Sequence, residues 1–145
     1  MTSPAVAALC GTLLAAAIDG RTGIIPDSVT RSTALAALTL AAVNGAAPAA
    51  ASGACAVGSM LWALHLVSRG RGLGLGDVKL GIAIGAGLGP LAGAVAVGAA
   101  FVLGAAYAIA LLATHRAHRG DAIAFGPFLA AGTLAVTLVP GGALR

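Results

Sequence analysis

Apart from Arg145, every charged residue of this chain falls in one of three short segments, 19–31, 69–79 and 116–121, and the stretches between them are apolar. A membrane-crossing helix needs about 20 apolar residues, or about 17 when it is short. The first run, Pro4–Ile18, stops at "DGRTGIIPDS". From Val29 to Ser68 the chain is long enough for two spans, parted at "NGAAP" (Asn44–Pro48). After "RGRGLGLG", the stretch from Asp77 to Thr114 fits two more, divided at Gly89-Pro90, a pair that punctuates helices. "HRAHRGDA" interrupts again, and Ile123–Val139 makes the last span. The pattern predicts an all-α, polytopic membrane helix bundle of about six transmembrane helices in one domain, 1–145, with loops too short to hold a soluble unit.

Composition agrees. The chain is 59% hydrophobic and only 8% charged, with a mean hydropathy of +1.03. Soluble domains carry about a quarter of their residues as charges, so the solvent this chain suits is a lipid bilayer. The net charge of +4 comes from basic residues in ones and twos. With no basic run and no aromatic stacking platform, nucleic-acid binding is disfavoured and no nucleic-acid partner is expected.

The same charges predict orientation. Six spans put the segments 19–28, 69–76 and 115–122 on one side, with Arg21, Arg69, Arg71, Arg116 and Arg119, while Arg31 and Lys79 lie just inside the adjoining helices. The opposite side receives the N-terminus, "NGAAP", "LGPLAG" and Arg145. The positive-inside rule makes the basic side cytoplasmic, hence N-out and C-out in the cytoplasmic membrane.

Cys10 and Cys55 lie inside apolar stretches, with no CxxC, so two buried thiols are expected rather than a disulfide or a zinc site. "AALC" at 7–10 does not make a lipoprotein processing site, because Leu9 is too large before the cysteine and no basic segment precedes it. Gly81, Gly85 and Gly89 recur every four residues, a face on which another helix can approach closely. The Gly72/Gly74/Gly76 alternation follows no strand and lacks the GxGxxG spacing, so it is not a phosphate cradle. His115 and His118 could share a helix face, but two histidines without a third ligand do not make a metal site. His65 is expected to be a packed or interfacial side chain. Neither a metal nor another cofactor is expected.

The chain has four carboxylates, Asp19, Asp27, Asp77 and Asp121, all placed at the basic side. An ionisable group at a membrane boundary is expensive and points to function unless a structural role accounts for it. Asp27, between Pro26 and Ser28, fits a helix N-cap. Asp121 fits a solvated loop. Asp77 could also cap a helix, but that helix runs only about a dozen residues to Gly89, roughly 18 Å against a hydrocarbon core of about 30 Å. Asp77 is therefore expected in a wet cleft below the surface. Asp19 ends the first helix, where the helix dipole disfavours negative charge, and capping does not explain it. Two aspartates at neighbouring helix ends are the ingredients of an aspartic dyad, which shares a proton because close like charges cannot both ionise cheaply. Lys79 does not interfere, since two positions along a helix is about 200° of rotation.

Three segments carry a resemblance: "AIDGRTGIIPDSVT" (17–30), "GLGLGDVKLG" (72–81) and "IAFGPFLAAG" (123–132). In this order and spacing the chain resembles the type IV prepilin peptidases, polytopic membrane aspartic peptidases of the GxGD kind. The resemblance implies Asp19 and Asp77 as the catalytic pair and Gly74 and Gly76 as the GxGD glycines. Lys79 matches the family's lysine after the aspartate, Pro26-Asp27 its "PD" pair, and Gly126-Pro127 its FGP turn. It further implies a partner, the short basic leader and transmembrane segment of a prepilin or pseudopilin, cleaved at the cytoplasmic face. Many members also carry an N-terminal domain with paired CxxC motifs, associated with methylation of the new terminus. This sequence has none, so peptidase activity without methylation is expected, as in the compact members. Two other readings stay open at this point: an inactive assembly scaffold of the same fold, and a small proton-coupled carrier.

Overall fold

A computed structural model of the chain describes residues 3–70, 72–116, 118 and 123–138. Asp121, together with Arg71, Arg119, Val139 and Arg145, lies outside the described residues. The described residues form six helices and no strand: α1 (Pro4–Thr22), α2 (Asp27–Val43), α3 (Ala47–Val67), α4 (Leu75–Leu88), α5 (Pro90–Ala113) and α6 (Gly126–Leu138). The breaks fall where the sequence puts them, at Asn44–Ala46 and at Gly89. Gly89 has φ 84°, a left-handed conformation that glycine adopts without penalty, and Pro90 opens α5 at a position where its missing N–H costs nothing.

Five helices close a ring in the order α1, α2, α3, α5, α6 and back to α1, and α4 stands inside it, touching all five. That position explains how α4 can be short. Its 14 residues span about 21 Å, less than the hydrocarbon core, but its sides meet protein instead of lipid. Asp77, Val78, Leu80, Gly81, Ala83, Ile84, Gly85 and Ala86 are all buried. By length and composition α1, α3 and α5 can each cross a bilayer.

Within lipid there is little hydrophobic drive between helices, and close packing of small residues takes its place. Gly53 of α3 and Gly85 of α4 meet backbone to backbone, so that a Cβ on either would enter the other's peptide. Gly81 takes Leu61 in the same interface, and the backbone of Gly89 also packs on Gly53, where an added Cβ would come within 2.8 Å of Gly89 Cα. The three glycines thus share the face toward α3, and Gly89 serves the turn as well. The buried hydroxyls are satisfied locally: Thr12 donates to Leu9 O (2.9 Å), Thr33 to Val29 O (2.7 Å) and Thr133 to Leu129 O (2.8 Å). Nothing polar is left facing the packed helices at these positions, as a bilayer interior demands.

Large apolar side chains including Leu14, Leu35, Trp62, Val102 and Ile109 are exposed on the outside, where lipid is their solvent. The two cysteines correct the expectation of burial: Cys10 and Cys55 are both exposed. In a water-soluble protein an apolar run goes inside; in a membrane bundle it is equally suited to the lipid-facing surface, so apolar surroundings in sequence do not imply a buried thiol.

Helix ends differ from the predicted ones near the charges. α1 continues past Ile18 to Thr22 and stops at left-handed Gly23, whose N–H donates to Asp19 O (2.8 Å). α2 starts at Asp27 rather than Val29, with Pro26 in the cap position and no side-chain cap. Asp27 is therefore not the cap expected of it. α4 starts at Leu75, two residues before Asp77.

Candidate active site

The ends of α1, α3 and α5 and the starts of α2, α4 and α6 meet at one end of the bundle, which carries every described Lys and Arg: Arg21, Arg31, Arg69, Lys79 and Arg116. Here two carboxylates are buried. Asp19 is 5% exposed and Asp77 8%. Both line one cavity of about 180 Å³ together with Gly23, Ile24, Ile25, Gly74 and Gly76.

Asp19 lies in the last turn of α1, against that helix's own dipole. A second helix compensates. Its Oδ2 accepts the N–H of Gly126 (2.8 Å), the first residue of α6, so the carboxylate sits at the partly positive N-terminus of α6. The contact requires glycine: a Cβ on Gly126 would stand 2.8 Å from Asp19 Oδ2. Pro127 then continues α6 from a position suited to proline.

Asp77 is the third residue of α4, not its cap. Its Oδ2 reaches back to accept the N–H of Gly74 (3.1 Å), the residue in the cap position, which is one half of a capping box. Gly74 has no side chain to complete it. Asp77 Oδ1 is buried with no hydrogen-bond partner among the described residues. Both aspartates thus occupy helix N-termini, each held by one backbone N–H.

The glycines of "GLGLGD" shape the space. Gly76 lies under Ile25, to whose Cβ its own Cβ would come within 3.0 Å. Gly74 faces Asp77 itself. The α1–α2 loop, with Ile24 and Ile25, and the start of α4 therefore pack together and both line the cavity.

The other sequence-predicted site residues are placed apart. Lys79 Nζ bonds Asp27 Oδ1 (2.6 Å), and Arg31 approaches Asp27 Oδ2 at 3.5 Å. This half-exposed cluster joins α2 to α4. Neither Pro26, Asp27 nor Lys79 lines the cavity. Lys79 faces Asp27 instead of Asp77, in agreement with the helical rotation.

Sequence reading expected His65 to be a packed or interfacial side chain and gave it no place in the site. Its Nδ1 lies 2.6 Å from Leu73 O, which ties α3 to the loop that delivers Gly74. The signal available was its place near the basic end of the third span, close to the GxGD segment, but the contact depends on how the chain turns back. Among the described residues no three His, Cys or Asp side chains gather as metal ligands.

The architecture is that of a polytopic membrane protein with two acids drawn together at one end of a helix bundle. Comparison with known proteins gives the family: residues 6–109 match the type IV leader peptidase family, and the chain belongs to it. Asp19, Pro26, Asp27, Gly74, Gly76, Asp77 and Lys79 fall inside the matched span, and Gly126 and Pro127 beyond it. The chain is 41% identical over 133 residues to the prepilin leader peptidase/N-methyltransferase of Burkholderia pseudomallei strain K96243, covering 86% of this chain and 42% of the relative. A protein of the same name from Aeromonas salmonicida is 32% identical over 113 residues, covering 74% of this chain and 39% of its own. The chain therefore spans about two fifths of the length of these relatives. No solved structure matches it.

Proposed function

We propose that the protein is a membrane aspartic endopeptidase that removes the short leader of prepilin-like proteins. The observation that carries this reading is the placement of Asp19 and Asp77, from different helices, on the wall of one cavity. Each carboxylate keeps one oxygen on a backbone N–H, which fixes its position. The open Oδ1 of Asp77 is an unsatisfied buried acceptor of the kind that a catalytic role accounts for.

In the reaction one carboxylate is ionised and the other protonated. The ionised one takes a proton from a water molecule as that water attacks the scissile carbonyl. The protonated one donates to the carbonyl oxygen, and a proton then passes to the leaving amine as the C–N bond breaks. The glycine-lined walls suit an extended peptide, because a backbone without side chains lets another backbone come close. Membership of the family supports prepilin-like proteins as the substrate class.

The basic end of the bundle is the cytoplasmic one by the positive-inside rule, which puts the cavity on the side where a basic leader is presented. A proton-coupled carrier would instead need acids at several depths, and Asp19, Asp27 and Asp77 all stand at one end.

The test is cleavage of co-expressed prepilin-like substrates, followed by mass, with wild type compared to Asp19→Asn and Asp77→Asn at matched membrane levels. Both variants are expected to fall to background. Leader removal that survives either substitution would move the catalytic pair elsewhere.

A further inference from the structure

We propose that His65 is a positioning residue for Asp77, acting through the one peptide unit that joins Leu73 to Gly74. A carbonyl oxygen cannot donate, so the 2.6 Å contact between His65 Nδ1 and Leu73 O requires the ring to carry its proton on Nδ1. The carbonyl that accepts it and the Gly74 N–H that donates to Asp77 Oδ2 at 3.1 Å belong to the same amide. The chain of bonds is therefore His65 Nδ1–H to Leu73 C=O, across the amide, and Gly74 N–H to the carboxylate.

Two consequences follow. An amide whose oxygen accepts a short hydrogen bond is polarised, and its N–H becomes a better donor. The plane of the amide is also held at both ends, so Gly74 N–H is aimed at Asp77 before substrate arrives. His65 is itself well anchored. Its carbonyl accepts the N–H of Gly70 (2.9 Å) and the hydroxyl of Ser68 (3.1 Å), and its ring lies 5.8 Å from that of Trp62. Gly70 is in a left-handed conformation, φ 73°, and a Cβ there would meet the imidazole at 3.3 Å. Ser68, Gly70 and Leu73 thus all contact His65, whose side chain finishes at the amide that holds the aspartate. The amide that holds Asp19 is backed by backbone instead of a side chain: Gly126 N–H belongs to the peptide unit whose carbonyl, that of Phe125, accepts the N–H groups of Phe128 (3.0 Å) and Leu129 (3.2 Å).

The kinetic part of this proposal rests on the peptidase reading, and its spectroscopic part does not. Two variants separate the donor from the ring. His65→Phe keeps an aromatic ring against Trp62 and removes the N–H. His65→Asn loses the ring and keeps a side-chain N–H at the position of Nδ1. Protein labelled with 15N-glycine in detergent gives the Gly74 amide, assigned by its loss in Gly74→Ala. The expected result is an upfield move of the Gly74 amide proton in His65→Phe and its near-restoration in His65→Asn. In the cleavage assay kcat is expected to fall by about tenfold in His65→Phe, the order of one hydrogen bond, with KM little changed and most of the rate recovered in His65→Asn. A Gly74 amide unmoved in His65→Phe would overturn the proposal whether or not any substrate is cleaved. Equal loss of kcat in the two variants would overturn it as well. Should His65→Phe fail to fold, His65→Asn alone decides, by keeping or losing the wild-type Gly74 shift.

Discussion

Replacing Gly126 by alanine puts the smallest possible load on the contact that positions Asp19. The added Cβ would stand 2.8 Å from Asp19 Oδ2, 3.0 Å from its Cβ and 3.2 Å from its Cγ. Contact without strain starts at about 3.5 Å, so the carboxylate or the start of α6 must retreat by roughly 0.7 Å. That movement lengthens the 2.8 Å bond from Gly126 N–H beyond useful hydrogen-bond range. Overpacking of this kind costs about 1–3 kcal/mol. A misplacement of about 1 Å at a reacting group costs on the order of a hundredfold in rate, so Gly126→Ala is expected to lower kcat by between about tenfold and a hundredfold. The assay is the initial rate of leader removal in membranes with matched protein levels, read beside a thermal melt in detergent. Gly20→Ala is the control, one residue from Asp19 in α1: its Cβ would meet only Pro127 Cγ, at 3.9 Å, an ordinary contact. It should cleave within about twofold of wild type, well under one hydrogen bond's worth. A folded Gly126→Ala protein with the wild-type kcat would refute the idea that α6 holds Asp19 in its working position.

Other expectations are simpler. Gly85→Ala forces α3 and α4 apart where their backbones touch, and should cost about 1–3 kcal/mol or abolish accumulation of folded protein. Gly98→Ala, with nothing within 4 Å of the new atom, should leave the melting temperature close to wild type. A double-mutant cycle on Asp27 and Lys79 should give a small coupling that fades with salt, as for other half-exposed pairs, and a large coupling that resists salt would show the pair to be buried in use. Cys10→Ala and Cys55→Ala should each shift stability by no more than about 0.5 kcal/mol, because both thiols are exposed on the outside of the bundle.

The elements were readable where a single residue type dictates the backbone. Gly89-Pro90 cannot continue a helix, and "NGAAP" breaks one, so the division into six segments follows from local chemistry. The ends near the charges were less legible because carboxylates there answer to distant partners. Asp19 looked misplaced at a helix C-terminus; the compensating N-terminus belongs to α6, 107 residues away in sequence. Capping stayed possible for Asp77 in sequence because caps and acids at the third helical position share the same neighbours, and the bond to Gly74 tells them apart. Asp27 looked like a cap for the same reason and instead pairs with Lys79, 52 residues on. The roles of Asp19, Asp77 and the glycines as a set came from the resemblance, not from periodicity. The contact of His65 was not legible because its partner is a carbonyl, which has no identity in a sequence.

The ring of helices has a bearing on how the protein is made. α1 is made before α6 and carries Asp19, while the N–H that donates to that carboxylate belongs to α6. Until α6 docks between α5 and α1, the acid has no backbone donor and the ring has a gap beside it. A nascent chain therefore carries both aspartates well before it carries their finished setting. Synthesis of α6 acts as a latch: a chain stalled before it lacks the bond that places Asp19.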